Sequence, residues 1–302
     1  MSNPPSNSTG AAVENPLDAA HYADRAVARR VEVVENVRLA RDTYRLRIHC
    51  GEIARRIVPG QFVMLRLADQ NNPLLGRPLA LYDTVLDDSG AAIGLDLVYL
   101  ILGKMTTKLA TYAPGQPLEI WGPLGNGFPT RACDHLILVA GGIGQAPFVA
   151  VAREATGGRQ YGEPVRTMPR AKRVTLCYGV RSGDLAAGIS DFEDAGVTVR
   201  ISSDDGTLGH HGLVTELLEQ ELAATTDRVR VLCCGPEPMM ERVAEICNRA
   251  GTACEVSLET PMACGIGICF SCVARVRQAG GGWDYRRTCV DGPVFDAEKL
   301  VW

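Results

Sequence analysis

Four of the chain's 11 cysteines stand close to its C-terminus, at Cys264, Cys269, Cys272 and Cys289, the first three inside the run ACGIGICFSC. A segment this short presents three thiols to one point only if it turns tightly, and Gly265 and Gly267 permit the positive φ that such a turn needs. The spacing, C-x4-C-x2-C with a distant fourth cysteine, is that of plant-type [2Fe-2S] sites. Small residues between the ligands also let backbone N–H groups approach the sulfides and stabilise the charge of a reduced cluster. Structural zinc takes four cysteines too, usually as two separated C-x2-4-C knuckles, and here only Cys269 and Cys272 form one. A [2Fe-2S] cluster is the better fit; zinc and unliganded thiols are the alternatives.

The other seven cysteines, Cys50, Cys133, Cys177, Cys233, Cys234, Cys247 and Cys254, are scattered through apolar segments, where a thiol acts as a small buried hydrophobe. The N-terminal stretch is polar and rich in Ser, Asn and Pro, without the charged start and apolar centre of a secretory signal. A cytoplasmic location with reduced thiols is therefore expected, and residues 1–26 are expected to be a disordered extension. Apolar runs such as Leu136 to Ala140 fall far short of the roughly 20 residues that span a bilayer. The net charge is −4 and charges of both signs are interspersed, which leaves no basic face for nucleic acid.

A chain of 302 residues has room for two or three modules. Over residues 27–130, short Val-, Leu- and Tyr-rich stretches alternate with Gly and Pro (VEVVENVRLA, YRLRIHC, QFVMLRL, LALYDTV, LDLVYLIL, PLEIWG), which predicts an antiparallel barrel or sandwich. Over 131–255, strand-like runs alternate with helical ones, including Leu185 to Ala195, and predict a parallel sheet covered by helices. Residues 256–302 are Cys- and Gly-rich and too short to build a large core, so they need a staple that the cysteines can supply.

Two glycine turns follow predicted strands of the α/β region. Gly141 to Pro147 leads from LILVA into a helical run, although Pro147 departs from G-x-G-x-x-G, and Cys234, Gly235 and Pro236 close another strand. Both belong at the carboxyl edge of a parallel sheet, where ligands bind, and helix starts there favour phosphate. Asp204 and Asp205 follow a third strand and suit either ribose hydroxyls or a solvated turn. In the barrel, Arg77 opens a strand and Gly103 to Thr107 leads into a short helix; an Arg fork and a hydroxyl-bearing helix start together can clamp a pyrophosphate.

The order of Arg77-Pro78, Gly103 to Thr107, Gly122 to Phe128, Gly141 to Pro147, Cys234-Gly235-Pro236, Met262 to Gly267 and Asp291 to Phe295 resembles the electron-transfer subunits of type B dihydroorotate dehydrogenase. The resemblance runs from about Ala28 to Trp302. It implies a ferredoxin-reductase-like, multi-domain α/β plus β fold, made of an FAD-binding antiparallel β-barrel, a parallel α/β NAD-binding domain and a small C-terminal [2Fe-2S] domain. It also implies that Arg77, Pro78, Leu79 and Ala80 bind FAD, that Gly103, Thr106 and Thr107 hold its pyrophosphate, that Gly142, Ile143, Gly144, Cys234, Gly235 and Pro236 place NAD, and that the four late cysteines ligate iron. Two positions depart from the pattern: Ala80 stands where relatives often carry Ser, and Met105 where Gly is expected.

No side chain of this chain is assigned acid or base duty on dihydroorotate. A (β/α)₈ domain of about 250 residues, which would house FMN and that substrate, has no room here, so an FMN-containing catalytic subunit is the implied partner, in a heterotetramer of two copies of each chain serving pyrimidine biosynthesis. NAD is favoured over NADP because Asp204 and Asp205 would repel a 2′-phosphate, although Arg181 and Ser182 would accept one. The rival readings are the small subunit of an NADH-dependent ferredoxin:NADP oxidoreductase or of a sulfide dehydrogenase, and a non-enzymatic iron-sulfur redox sensor.

Overall fold

The computed structural model describes residues 23–302. The expected disordered extension lies outside the described residues up to residue 22; its last residues, Ala23–Arg25, form a 3-10 turn, and Ala23 and Ala26 pack against the cysteine-rich segment.

The six strand-like runs of the first region form six strands, β1 (Val27–Ala40), β2 (Thr43–His49), β3 (Phe62–Leu67), β4 (Arg77–Leu86), β5 (Ala92–Leu100) and β6 (Pro117–Leu124). They close into an antiparallel barrel in the order β1-β2-β5-β4-β3-β6. Side chains alternate across each strand, so Val63, Leu65, Leu79, Leu81, Leu118 and Ile120 fill the interior. Two short helices, α1 (Gly51–Arg56) and α2 (Lys104–Leu109), add Ile53, Ala54, Met105 and Leu109 to that core. A register shift between β3 and β6 places Phe62 opposite Leu124 and Met64 opposite Trp121. Such a bulge changes which face a residue presents, and Phe62, Met64, Leu124 and Trp121 all belong to a second cluster on the outside of the barrel.

The second sheet contains β7 (His135–Gly141), β8 (Arg173–Val180), β9 (Thr198–Ser203), β10 (His210–His211), β11 (Val229–Cys234), β12 (Ala253–Ser257) and, from the C-terminal segment, β15 (Val294–Asp296). Its order is β10-β9-β8-β7-β11-β12-β15, all parallel except β15. Every residue of β7 is buried, as befits a central parallel strand covered on both faces. Helices α3 (Phe148–Ala155) and α4 (Ile189–Asp194) pack on the side that meets the barrel, and α5 (Val214–Ala223) and α6 (Glu237–Arg249) on the other. The predicted helix over 185–195 is shorter than expected: a 3-10 turn at Gly183–Leu185 precedes α4. Gly188 separates the two with φ +72°, and its Cα lies so close to Tyr82 Oη that a Cβ would stand 2.4 Å away.

The remaining strands, β13 (Val273–Arg277) and β14 (Trp283–Arg287), make a two-stranded hairpin. The expected boundary at 255/256 falls inside β12, and β15 returns to pair with it, so the cysteine-rich segment is tied to the α/β sheet at both ends. The barrel is tied to the same sheet through buried Asp83, whose carboxylate takes Arg153, Arg159 at 2.8 Å and the Tyr161 hydroxyl at 2.7 Å.

Candidate functional site

The strand order reverses between β7 and β11, and their carboxyl ends carry the two glycine turns read in the sequence. The turns are in contact: a Cβ on Gly144 would fall 2.2 Å from the Cys234 carbonyl oxygen, so only glycine lets these backbones meet. Gly142, at φ +54°, faces open space. Beside it the side-chain amide of Gln145 is buried with neither Oε1 nor Nε2 hydrogen-bonded within the protein. Buried amides are almost always paired, which marks a place where a ligand's polar group is wanted. Cys234 is buried and burial pushes its thiol well up. Two residues beyond β12, Glu259 has its carboxyl raised by burial alone. Of the two aspartates after β9, Asp205 accepts the Thr207 N–H at 3.0 Å and hydroxyl at 2.6 Å, and so caps its own turn; Asp204 is exposed.

In the barrel, Arg77 begins β4 and donates to the carbonyls of Leu75 and Gly76. Leu79 points into the core, which leaves Pro78 and Ala80 outward, opposite Met64 and Phe62 of β3. Gly103 has nothing within 4 Å of a built Cβ and caps α2; Thr106 Oγ1 accepts from the N–H groups of Leu102 and Gly103, so part of its capacity closes the helix, while Thr107 is exposed. Met105 does not occupy a strained turn: it is a helical residue and its side chain, 1% exposed, fills the barrel core.

The four late cysteines stand as two pairs. Cys272 and Cys289 are buried with sulfurs 3.2 Å apart, and Cys269 lies beside Cys264 with its sulfur bonded to Ser271 Oγ at 3.2 Å. The bond from Cys289 holds the Cys272 thiol down to about 6 and pushes Cys289 itself up. Burial opposes ionisation of Cys269, but hydrogen bonds from Ser271 and Cys264 outweigh it and bring that thiol to about 6. Each pair therefore contains one sulfur inclined to the thiolate that iron requires. Among the described residues no three His, Cys, Asp or Glu side chains converge as ligands of one ion. Two pairs suit a two-iron centre, in which each iron takes two cysteines, better than a single zinc, which draws four to one point. The loop turns where expected, with φ +73° at Gly265 and +83° at Gly267. Gly265 is pressed on Met64, where a Cβ would meet Cγ at 2.5 Å.

Several contacts have no local sequence signal. Trp121 donates its indole N–H to the Cys264 carbonyl at 2.8 Å. Asn126 clasps Val294 with two hydrogen bonds and takes the Gly292 carbonyl on its backbone N–H, so the Gly122 to Phe128 and Asp291 to Phe295 runs meet in space. Of the seven scattered cysteines, six are buried and Cys254 is half-buried.

Residues 259–301 match the model of the iron-sulfur cluster binding domain of dihydroorotate dehydrogenase B, and residues 138–245 that of an oxidoreductase NAD-binding domain. The chain is 34% identical over 265 residues to the dihydroorotate dehydrogenase B (NAD(+)) electron transfer subunit of Desulforamulus reducens, covering 87% of this chain and 94% of that one. A solved NADH-dependent reduced ferredoxin-NADP oxidoreductase structure superposes with a TM-score of 0.73 at 26% identity, over 90% of both chains. A ferredoxin NADP+ reductase from Neisseria gonorrhoeae with bound FAD and NADP shares the fold at 16% identity, with a TM-score of 0.58 over 74% of this chain and 92% of its own.

Barrel, switch-point sheet and cysteine loop together define a ferredoxin-reductase-like oxidoreductase that carries an iron-sulfur module. Within that class, the chain belongs to the family of dihydroorotate dehydrogenase B electron transfer subunits.

Proposed function

We propose that this chain moves electrons between NAD and a partner catalytic subunit by holding FAD, NAD and a [2Fe-2S] cluster around one wall of its barrel. The observation that carries the reading is a row of outward residues across three neighbouring strands: Trp121 on β6, Met64 on β3 and Pro78 on β4. The cysteine loop packs on the Trp121 and Met64 end, and the strand expected to flank the flavin forms the other. Neighbouring strands lie about 4.8 Å apart, so β6 and β4 are roughly 10 Å from each other.

On this reading Cys264, Cys269, Cys272 and Cys289 ligate the cluster. Arg77, Pro78, Leu79 and Ala80 hold FAD, with Gly103, Thr106 and Thr107 on its pyrophosphate. Ala80 brings no hydroxyl, so polar contact to the flavin ring there comes from backbone. Gly142, Ile143, Gly144, Cys234, Gly235 and Pro236 seat NAD, and the unpaired Gln145 amide is the partner for its carboxamide. Bound flavin supplies the exchange between hydride and single-electron transfer that nicotinamide and cluster each lack.

The partner is the FMN-containing dihydroorotate dehydrogenase catalytic subunit, with two copies of each chain in the assembly and a cytoplasmic location. Ile268 and Phe270, at 65% and 61% exposure in the cysteine loop, give that subunit an apolar landing point beside the cluster. Among the described residues no helix is long and apolar enough to cross a membrane.

The test is co-expression with the catalytic subunit. Dihydroorotate-dependent NAD reduction should appear only when both chains are present. Reduction of NADP from reduced ferredoxin instead, with no response to dihydroorotate, would favour the ferredoxin:NADP oxidoreductase reading that the 26% identical structure keeps in view.

A further inference from the structure

We propose that Trp121 is the relay residue through which electrons pass between the cluster and the flavin, an inference that rests on the placement of those two groups given above. One edge of its indole donates a hydrogen bond to the carbonyl oxygen of Cys264, the first of the four cysteines, at 2.8 Å. The other edge lies on Gly76, where a built Cβ would come within 2.8 Å of ring atom Cη2, and Gly76 leads directly into Arg77 and Pro78. A single planar ring therefore touches the backbone of a ligand cysteine at one end and the approach to the flavin strand at the other.

Among the described residues the parallel contacts on this wall are apolar side chains: Met64, packed under Gly265 and opposite Pro78 in the strand register, and Phe62, opposite Ala80 and clustered with Cys272 and Cys289. Each of those routes crosses apolar van der Waals gaps on both sides. The indole route crosses one hydrogen bond and one contact, with a conjugated ring between, and electronic coupling falls less steeply through bonds, hydrogen bonds and π systems than across gaps. Each passage moves one electron from donor to acceptor; no bond forms or breaks, and the ring carries neither charge nor proton away. A purely structural Trp121 would only pin the Cys264 loop to the barrel, and its loss would then alter how much cluster is held and not how fast it is reduced.

The experiment uses the full chain loaded with FAD and cluster, mixed rapidly with NADH without oxygen, following flavin and cluster bleaching as separate phases. In Trp121→Phe, which keeps an apolar ring but removes the donor and shortens the reach to Gly76, the flavin phase should be unchanged and the cluster phase slowed about tenfold or more. The electron spin resonance signal and reduction potential of the reduced cluster should stay as in the native protein. Only molecules that retain iron contribute to the cluster phase, so partial loss lowers its amplitude and leaves its rate readable; Trp121→Tyr gives a second reading of the same rate. A cluster phase within about twofold of native in both Trp121 variants would overturn the relay. If the native protein's flavin bleaches and its cluster never does, the placement of the two groups fails instead.

Discussion

The barrel fills its interior with its own side chains, Leu46, Ile48, Leu65, Leu67 and Leu97 all inaccessible to solvent, whereas the cysteine-rich segment has almost no interior of its own. Its hairpin leaves Trp283 and Tyr285 half-exposed, its Val276 packs into the core of the α/β sheet, and its Met262, Cys272, Cys289 and Val290 are buried in a cluster shared with Phe62, Met64 and Leu124 of the barrel. A segment this small needs a staple, and the staple here is whatever joins the cysteine pairs. The same contacts that make it dependent also fix its thiols against the wall that leads to β4. Stability is borrowed where position matters most.

Serine at position 289 is the strongest way to break that contrast. Cys289 is fully buried against Cys272, so Cys289→Ser should abolish iron binding and expose the segment over 263–290 to proteolysis. The barrel and α/β sheet should keep their cooperative thermal transition. Loss of that main transition would show that the barrel needs the cluster as much as the segment does.

Truncating the borrowed side chain sharpens it. Phe62 is 4% exposed and sits between Leu124, Ala80 and the cysteine segment. Phe62→Ala should cost about 3–5 kcal/mol in denaturant unfolding, with iron released earlier in the titration than the barrel unfolds. Coincident release and unfolding would mean that the two regions are one cooperative unit.

The smallest effect is a pH dependence in the α/β sheet, to which the cysteine-rich segment is tied. His135 is buried at the start of β7, its Nε2 bonded to Thr175 Oγ1 and its Nδ1 to Arg173, both at 2.9 Å. Burial first, and Arg173 second, lower its pKa from 6.5. The folded state therefore takes up this proton less readily than the unfolded chain, and stability is lost as pH falls below about 6.5. His135→Gln should flatten that slope below about pH 6.5 in denaturant titrations; an unchanged slope would remove His135 from the account.

Strand rhythm, βα alternation and cysteine spacing made three modules legible in the sequence, because each is a local pattern. The joints between them were not. Trp121 reaches Cys264 across 143 residues and Asn126 reaches Val294 across 168, and no periodicity encodes such meetings. The helix over 185–195 is interrupted at Gly188, whose φ of +72° and close approach to Tyr82 from another module are likewise invisible to a local pattern. Met105 looked out of place against a glycine pattern, yet a residue whose side chain fills the core at a helix start has no need of positive φ. Gln145 passed unnoticed because a glutamine in a turn is ordinary until its burial and missing partners are seen.

The most direct measurement is an anaerobic NADH titration of the purified holoprotein followed by electron spin resonance and iron analysis. The account predicts two irons per chain and a reduced [2Fe-2S] signal that grows in after the flavin is reduced. Bound zinc with no such signal, or iron that NADH leaves oxidised while the flavin bleaches, would contradict it.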